Sequence, residues 1–352
     1  MQTDVLIIGG GLAGLAAAYE VATNGHSAII VDESWSLGGQ LRQQSQVIVD
    51  MPAPYTGLRG FQLSQVLAES LQNLPVQILL QHDMIGLYAD GSVGIACGGQ
   101  LQRITPGSLI VATGAAESAL PFPGWTLPGV MTIGAAQMLM NRERIYPGKK
   151  AVVLGSSDMA LEISRQMVEL GISVAAIVEP SQQLAATDKT IIEACRANEI
   201  PVLLEAQAIA ATGSGRVEEI TLVSGPDRLT FKYEVDLVCL DGGRHPVLET
   251  LSVLNCQLAY RQELGGWLPC YSARLESSVS GLFVAGQAAG ITSQAAVYRT
   301  GVIAGLSAVD YLEQKTSATR ATARQMLWDE LKQLETAKYP ARWQARLDHM
   351  GG

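Results

Sequence analysis

The residues best suited to chemistry stand near the start of the chain, in the G-x-G-x-x-G turn Gly9-Gly10-Gly11-Leu12-Ala13-Gly14. Gly9 suits the tight turn, Gly11 lets a pyrophosphate approach bare backbone, and Gly14 permits close helix–strand packing. A helix opening at this turn offers unpaired N–H groups and its positive dipole end to the phosphates. Glu33 lies 24 residues beyond Gly9, where a carboxylate accepts hydrogen bonds from the two ribose hydroxyls of an adenosine. The chemistry indicated is dinucleotide binding. No acid or base catalyst stands out: His26, His82, His245 and His349 are isolated and form no nucleophile–base pair by spacing.

A second set repeats the pattern in Gly155-Ser156-Ser157-Asp158-Met159-Ala160, with Glu179 again 24 residues past the first glycine. Here Ser157 replaces the middle glycine, and its side chain intrudes where the pyrophosphate should approach. The loop still ends in a helix N-terminus, so a phosphate is expected to sit displaced or more loosely. Glu179 opposes a 2′-phosphate, and no arginine follows in Pro180-Ser181-Gln182-Gln183 to receive one. The expected occupant is NAD(H) or an adenine nucleotide such as ATP or ADP, with slow or undetectable hydride transfer.

The elements that position these residues read from hydrophobic patterning. Val5-Leu6-Ile7-Ile8 is a buried parallel strand, residues 12–23 an Ala-rich helix, and residues 27–31 a second strand ending on Asp32-Glu33. Gly38-Gly39-Gln40-Leu41 lets the backbone run close to a cofactor. A helix is expected at 59–73, then antiparallel strands at 76–80, 85–88 and 92–96. Ser108-Leu109-Ile110-Val111 is a buried strand ending in Ala112-Thr113-Gly114, small enough to sit against an adenosine diphosphate. Pro121, Pro123, Gly124, Pro128 and Gly129 form the candidate domain hinge, followed by a helix at 132–141. The β-α-β unit from residue 150 to Glu179 is an internal repeat of the first. A turn at Asp241-Gly242-Gly243-Arg244-His245-Pro246 returns the chain to the first domain, with Arg244 structural. A last strand precedes Gly286-Gln287, and a helix at 294–312 opens near Ala295 and Ala296. Residues 320–336 form an amphipathic helix with Met326, Leu327, Leu331 and Leu334 on one face, a cap or oligomer contact.

Composition narrows the classes. At 352 residues and 48% hydrophobic content the chain suits two domains with ample core. A net charge of −9 argues against nucleic acid or an anionic membrane surface as partner. No apolar run reaches transmembrane length, and the N-terminal stretch is a strand–turn–helix rather than a signal peptide. Cys97, Cys195, Cys239, Cys256 and Cys270 include no C-x-x-C pair. That argues against a redox dithiol, a zinc site or a cysteine-ligated iron–sulfur cluster in this chain, and favours reduced thiols in the cytoplasm.

The ordered series G-x-G-x-x-G, Glu33, Gly38-Gly39-Gln40, A-T-G, the second glycine unit, G-G-R-H-P and G-L-F-V-A-G resembles the thioredoxin reductase and pyridine nucleotide–disulfide oxidoreductase class, up to about residue 312. The resemblance implies two Rossmann-like three-layer ββα dinucleotide-binding domains, the second inserted in the first. FAD would occupy 1–117 with 247–319, an NAD(P)-binding-like domain 118–246, and a helical extension 320–352. It implies FAD contacts at Gly9, Gly11, Leu12, Ala13, Gly14, Asp32, Glu33, Gly39, Gln40, Leu41, Ala112, Thr113, Gly114, Gly286 and Gln287. The helix near Ala295 and Ala296 would aim its dipole at the isoalloxazine. The second nucleotide site would use Gly155, Ser156, Ser157, Asp158 and Glu179. Gln287 stands where the class usually has an Asp.

Phe122-Pro123-Gly124-Trp125-Thr126-Leu127-Pro128-Gly129, Gly265-Gly266-Trp267-Leu268-Pro269 and Ala288-Ala289-Gly290-Ile291 are similar to segments of the flavoprotein subunits of hydrogen cyanide synthase, opine oxidase, sarcosine oxidase and dye-linked proline or hydroxyproline dehydrogenases. This implies an FAD-dependent, electron-handling subunit of an amine or amino-acid dehydrogenase complex. In a hetero-oligomer its partners would be a small [2Fe–2S] subunit together with an amine-oxidising flavoprotein subunit; a homodimer is also compatible. The alternatives are a stand-alone NAD(P)H-dependent flavin reductase resembling thioredoxin reductase-like ferredoxin reductases, and a non-catalytic nucleotide-binding scaffold.

Overall fold

The structure, a computed structural model, describes residues 1–351. The chain divides into two compact units, Met1–Ala116 joined by residues from Arg244 onward, and Glu117–Gly243. The second unit is therefore inserted within the first.

In the first unit the chain runs through β1 (Gln2–Ile8), α1 (Leu12–Thr23), β2 (Ala28–Asp32), α2 (Gly60–Ser70), β3 (Val76–Leu80), β4 (Asp83–Leu87), β5 (Val93–Cys97) and β6 (Gln100–Val111). The sheet order is β3-β2-β1-β6-β5-β4. Its centre is parallel, with Ile7 opposite both Ile30 and Ile110. Apolar runs on β1 and β2 follow from burial on both faces; Val5, Leu6, Ile7 and Ile30 are fully buried. The strand at 76–80 is not antiparallel as its alternation suggested, since it extends this parallel core beside β2. β4 and β5 do form an antiparallel pair. β6 is long enough to change partners along its length. Its first half pairs with β5, and its end pairs in parallel with Leu282–Val284.

The second unit contains α3 (Ile133–Met138), α4 (Asp158–Glu169) and α5 (Lys189–Ala197). Its parallel sheet has the order Val202–Leu203, Ser173–Val178, Lys150–Leu154, Leu237–Leu240, Val130–Thr132. The helix expected at 132–141 stops early: α3 ends at Met138 and passes into a π-helical turn, Leu139–Glu143, closed by Arg144 in the left-handed region. The Pro/Gly-rich stretch expected as a hinge is packed inside this unit. The carbonyls of Pro123 and Pro128 accept hydrogen bonds from the Ala211 and Val217 amides, both at 2.8 Å, and a Cβ on Gly124 would lie 2.0 Å from the Ala211 carbonyl oxygen.

Back in the first unit come α6 (Glu249–Val253), α7 (Gln294–Leu312), α8 (Ala318–Lys338) and α9 (Pro340–Gly351). α7 lies against α1 so closely that only glycine fits at two points. A Cβ on Gly301 would sit 2.3 Å from the Ala13 oxygen, and one on Gly305 2.8 Å from that of Ala17. On α8 the buried face is Arg324, Trp328, Leu331 and Glu335, whereas Met326 is 59% exposed. The stripe expected from the apolar residues alone is thus rotated, because two charged residues sit inside it. Trp328 and Leu331 join the core of the first unit, so α8 and α9 are part of this unit rather than an appendage. Among the described residues no helix is long and apolar enough to cross a membrane.

Candidate functional site

The first glycine turn leaves β1 and enters α1. Gly9 has φ +104°, and a Cβ there would lie 2.3 Å from the Ala112 oxygen; one on Gly14 would lie 1.9 Å from the Gly9 oxygen. Protein packing alone requires both glycines. Gly11 differs. It is the N-cap of α1 at φ −76°, and an added Cβ meets no protein atom nearer than the Gly39 Cα at 3.9 Å. Nothing in the fold demands a glycine there. α1 has no side-chain cap and no acid in its first turn, so its leading N–H groups stay free for an external acceptor. Leu12 and Ala13 have buried side chains, so only their backbone is left to face a ligand.

Asp32 and Glu33 divide their work. The Asp32 carboxylate accepts from the Gly10 amide at 2.6 Å and from the Ser34 amide at 2.7 Å, so it holds the turn in shape. Glu33 is exposed at the strand end. Gly39, at φ +51°, faces the turn; a Cβ there would lie 3.1 Å from the Gly11 Cα. The Gln40 amide donates to the Ala115 oxygen at 3.1 Å. Leu41 is 1% exposed within the core, so its side chain packs beneath the turn and only its backbone is left to face a ligand. Ala112 stacks on Gly9. The Thr113 hydroxyl donates to the Val247 oxygen at 3.1 Å, and the Gly114 oxygen accepts from the Val247 amide at 3.1 Å.

The end of the Leu282–Val284 strand reaches the same place. Gly286 (φ +68°) is so near α1 that a Cβ would lie 2.9 Å from the Ala13 Cβ. Gln287 is buried; one amide atom donates to the Thr292 oxygen at 3.4 Å, while its Oε1 has no partner. Ser293 caps α7 by accepting from the Ala296 amide at 3.3 Å. Ala295 and Ala296 are buried in the first turn of that helix. The structure thus brings together the glycine turn, Gly39, Gly286, Gln287 and the start of α7. Sequence reasoning missed the Ser293 cap, although Ser before an apolar helical run is a recognised start signal.

The second glycine turn has the same course and the opposite character. Gly155 has φ +106° and packs on Asp241. The Ser156 hydroxyl donates to Glu179 and accepts from the Ala185 amide at 2.9 Å. The other Glu179 oxygen accepts from the Ser181 amide at 2.9 Å. The Ser157 hydroxyl caps α4 by accepting from the Ala160 amide at 3.3 Å, and the Ser157 amide donates to Asp241 at 2.9 Å. Asp158 accepts from the Thr187 and Asp188 amides, both at 2.8 Å. Residues 185–188 are therefore hydrogen-bonded across the turn.

The thiols take no part in either site. Burial raises the Cys195 pKa to about 11 and pushes the Cys239 thiol higher still. All five cysteines are free.

The sequence profile described as "Pyridine nucleotide-disulphide oxidoreductase" matches residues 3–318. An opine oxidase subunit from Agrobacterium tumefaciens (strain Ach5) is 27% identical over 345 residues, covering 91% of this chain and 68% of its own. The L-proline dehydrogenase structure from P. horikoshii superposes with a TM-score of 0.74 at 21% identity, over 94% of this chain and 59% of that one. Thioredoxin reductase from T. acidophilum gives 0.73 at 20% identity, over 89% and 99%. The chain therefore spans about two-thirds or less of the first two. The fold is the expected pair of Rossmann-like domains, one inserted in the other.

These matches imply FAD and a pyridine nucleotide, and give no support to ATP or ADP. The first site fits FAD: it has a glycine cradle that the protein leaves open and a buried amide oxygen lacking a partner. The second does not fit a pyridine nucleotide as built. Two carboxylates and a serine cap hold the turn that a pyrophosphate needs.

Proposed function

As a member of the pyridine nucleotide-disulphide oxidoreductase family the chain is an oxidoreductase, and we propose that it is the FAD-carrying, electron-handling subunit of a complex that oxidises an amine or amino acid. FAD belongs to residues 1–117 with 247–319, and 118–246 is a dinucleotide fold that no longer loads NAD(P)H. The carrying observation is the contrast between the two helix starts. Gly11 opens α1 to a phosphate, whereas Ser157, Asp158 and Asp241 close α4. When bound, FAD supplies two-electron chemistry at its N5. The chain's part is to bind and orient it: N–H groups of α1 for the pyrophosphate, Glu33 for the ribose, and the Gln287 amide for the ribityl hydroxyls.

Electrons then enter from elsewhere than a nicotinamide. The likeness to the opine oxidase protein supports a separate, amine-oxidising flavoprotein as their source, with a small [2Fe–2S] subunit supplying the cluster for which this chain's five scattered cysteines include no C-x-x-C pair. Five free thiols support a reducing compartment, the cytoplasm. Mass spectrometry of ligands released from native protein tests the FAD assignment. Anaerobic stopped-flow with NADH tests the closed site: flavin bleaching at about 10 s⁻¹, typical of competent turnover, would make the protein a stand-alone reductase instead.

A further inference from the structure

α8, which covers the stretch that the sequence presents as a cap or oligomer contact, and α9 after it reach into the loop carrying Gln287. Arg346 on α9 is fully buried, and so, to 2% exposure, is Glu335 on α8. Their contact is two-pronged, with Arg346 Nε 3.1 Å from Glu335 Oε2 and Nη2 3.0 Å from Oε1. A buried pair of this kind is no general source of stability, since desolvation opposes it. Its remaining hydrogen bonds all run to one stretch of chain or to a residue that grips it. Arg346 Nη1 donates to the Ala289 oxygen at 3.1 Å and to the Tyr271 hydroxyl at 2.9 Å. Tyr271 donates in turn to the same Ala289 oxygen at 2.8 Å. At the other end of the loop the Thr292 hydroxyl donates to Glu335 Oε1 at 2.5 Å. The next residue, Ser293, caps α7, and the Thr292 oxygen receives the Gln287 amide.

We propose that Glu335 and Arg346 are positioning residues, which through Ala289, Tyr271 and Thr292 hold the Gln287–Ser293 loop and the start of α7 in the conformation that receives the flavin. The inference rests on the FAD reading above. The pair grips the loop at both ends, leaving the Gln287 amide oxygen buried and without a partner. A group that orients a binding residue in this way gives precision rather than direct contact. Arginine suits the task because its fork meets a carboxylate, a phenol and a carbonyl at once, which a lysine ammonium does not.

The test compares wild type with Glu335→Leu/Arg346→Met and with Thr292→Val. The double variant removes both charges, so no unpaired ion stays buried; Thr292→Val removes one hydrogen bond and leaves the pair intact. Three readouts are taken: the FAD dissociation constant by flavin fluorescence, visible circular dichroism of the bound flavin, and amide exchange across 287–296 in FAD-free protein. The double variant should bind FAD at least about tenfold more weakly, and Thr292→Val about three- to tenfold. Both should alter the flavin dichroism and speed exchange in the loop, and Arg346→Lys should restore only part of the loss. Wild-type FAD affinity and wild-type loop exchange in Thr292→Val overturn the proposal, whether or not the double variant folds. Should wild type bind no FAD, the cofactor assignment fails, and loop exchange still decides the clamp.

Discussion

Gly11 and Gly39 face each other across the first glycine turn: a Cβ added to Gly39 would lie 3.1 Å from the Gly11 Cα, whereas one added to Gly11 would meet nothing nearer than the Gly39 Cα at 3.9 Å. A substitution at Gly11 therefore leaves the apoprotein's packing intact and acts on the ligand alone. Gly11→Val should abolish FAD retention with little change in the melting temperature of FAD-free protein. Gly14→Ala should instead destabilise the apoprotein by about 1–3 kcal/mol through overpacking, because its Cβ would meet the Gly9 oxygen at 1.9 Å. FAD content and apoprotein melting, measured on both, separate the two roles. Full flavin in Gly11→Val would remove FAD from this turn.

Glu33 is exposed and stands where the ribose hydroxyls of the adenosine are expected. Glu33→Ala should weaken FAD by roughly 10- to 150-fold, from about 1.5–3 kcal/mol for a hydrogen bond to a charged group. Equilibrium dialysis reads this directly, and an unchanged constant would leave the adenosine elsewhere.

Opening the second turn takes more than one change. Ser157→Gly restores bare backbone but leaves Asp158 and Asp241 on their backbone partners and Ser156 on Glu179. NADH should still reduce the flavin far more slowly than about 10 s⁻¹ in that variant. A large rate gain from Ser157→Gly alone, seen by stopped flow, would show the serine to be the sole obstacle.

His349 makes the seating of α9 pH-dependent. Its Nε2 lies 2.8 Å from the Pro269 oxygen, so that nitrogen carries the proton, and its buried Nδ1 has no partner. Burial lowers its pKa below the ordinary 6.5, and the nearby Arg261 and Arg346 cations act in the same direction. With the folded value depressed, the contribution to stability is complete above pH 6.5 and is lost as pH falls through the folded value. Thermal melting should fall as pH drops below 6.5, and His349→Gln should flatten this component. An equal slope in both proteins would exclude His349 as its source.

Thiol labelling should follow burial. Cys97 and Cys270 are partly exposed, whereas Cys195, Cys239 and Cys256 are buried. A thiol reagent should modify the first two in native protein and the other three only after unfolding. Peptide mapping that finds Cys195 labelled early would contradict its burial and its raised pKa.

The first β-α-β unit and α7 were legible because local pattern and tertiary role coincide there. The continuous apolar run of β1 and the glycine turn point to one structure, and the helix expected at 294–312 is α7 to the residue. Legibility failed where a distant partner decides the outcome. Val76–Leu80 alternates like a half-buried strand, yet its place beside β2 makes it parallel. On α8 an apolar pattern gave Met326 a buried place, while Arg324 and Glu335 took the interior through partners 14 and 11 residues away, Asp310 and Arg346. The second glycine turn showed Ser157 as the obstacle; residues 185–188, folded across it, carry no motif that announces the closure.

The insertion of one unit within the other sets an order of events during synthesis. Glu117–Gly243 is contiguous, so every strand of its sheet has left the ribosome while β6 still lacks its neighbour Leu282–Val284. The hydrogen bond from Ser108 to the Gly281 oxygen spans 173 positions, and pairings of such separation form late. The unit proposed to hold FAD is thus completed second, although its chain emerges first. Limited proteolysis of ribosome-bound nascent chains should find 117–243 protected at lengths where 1–116 is still cleaved; protection in the reverse order would contradict this sequence of folding.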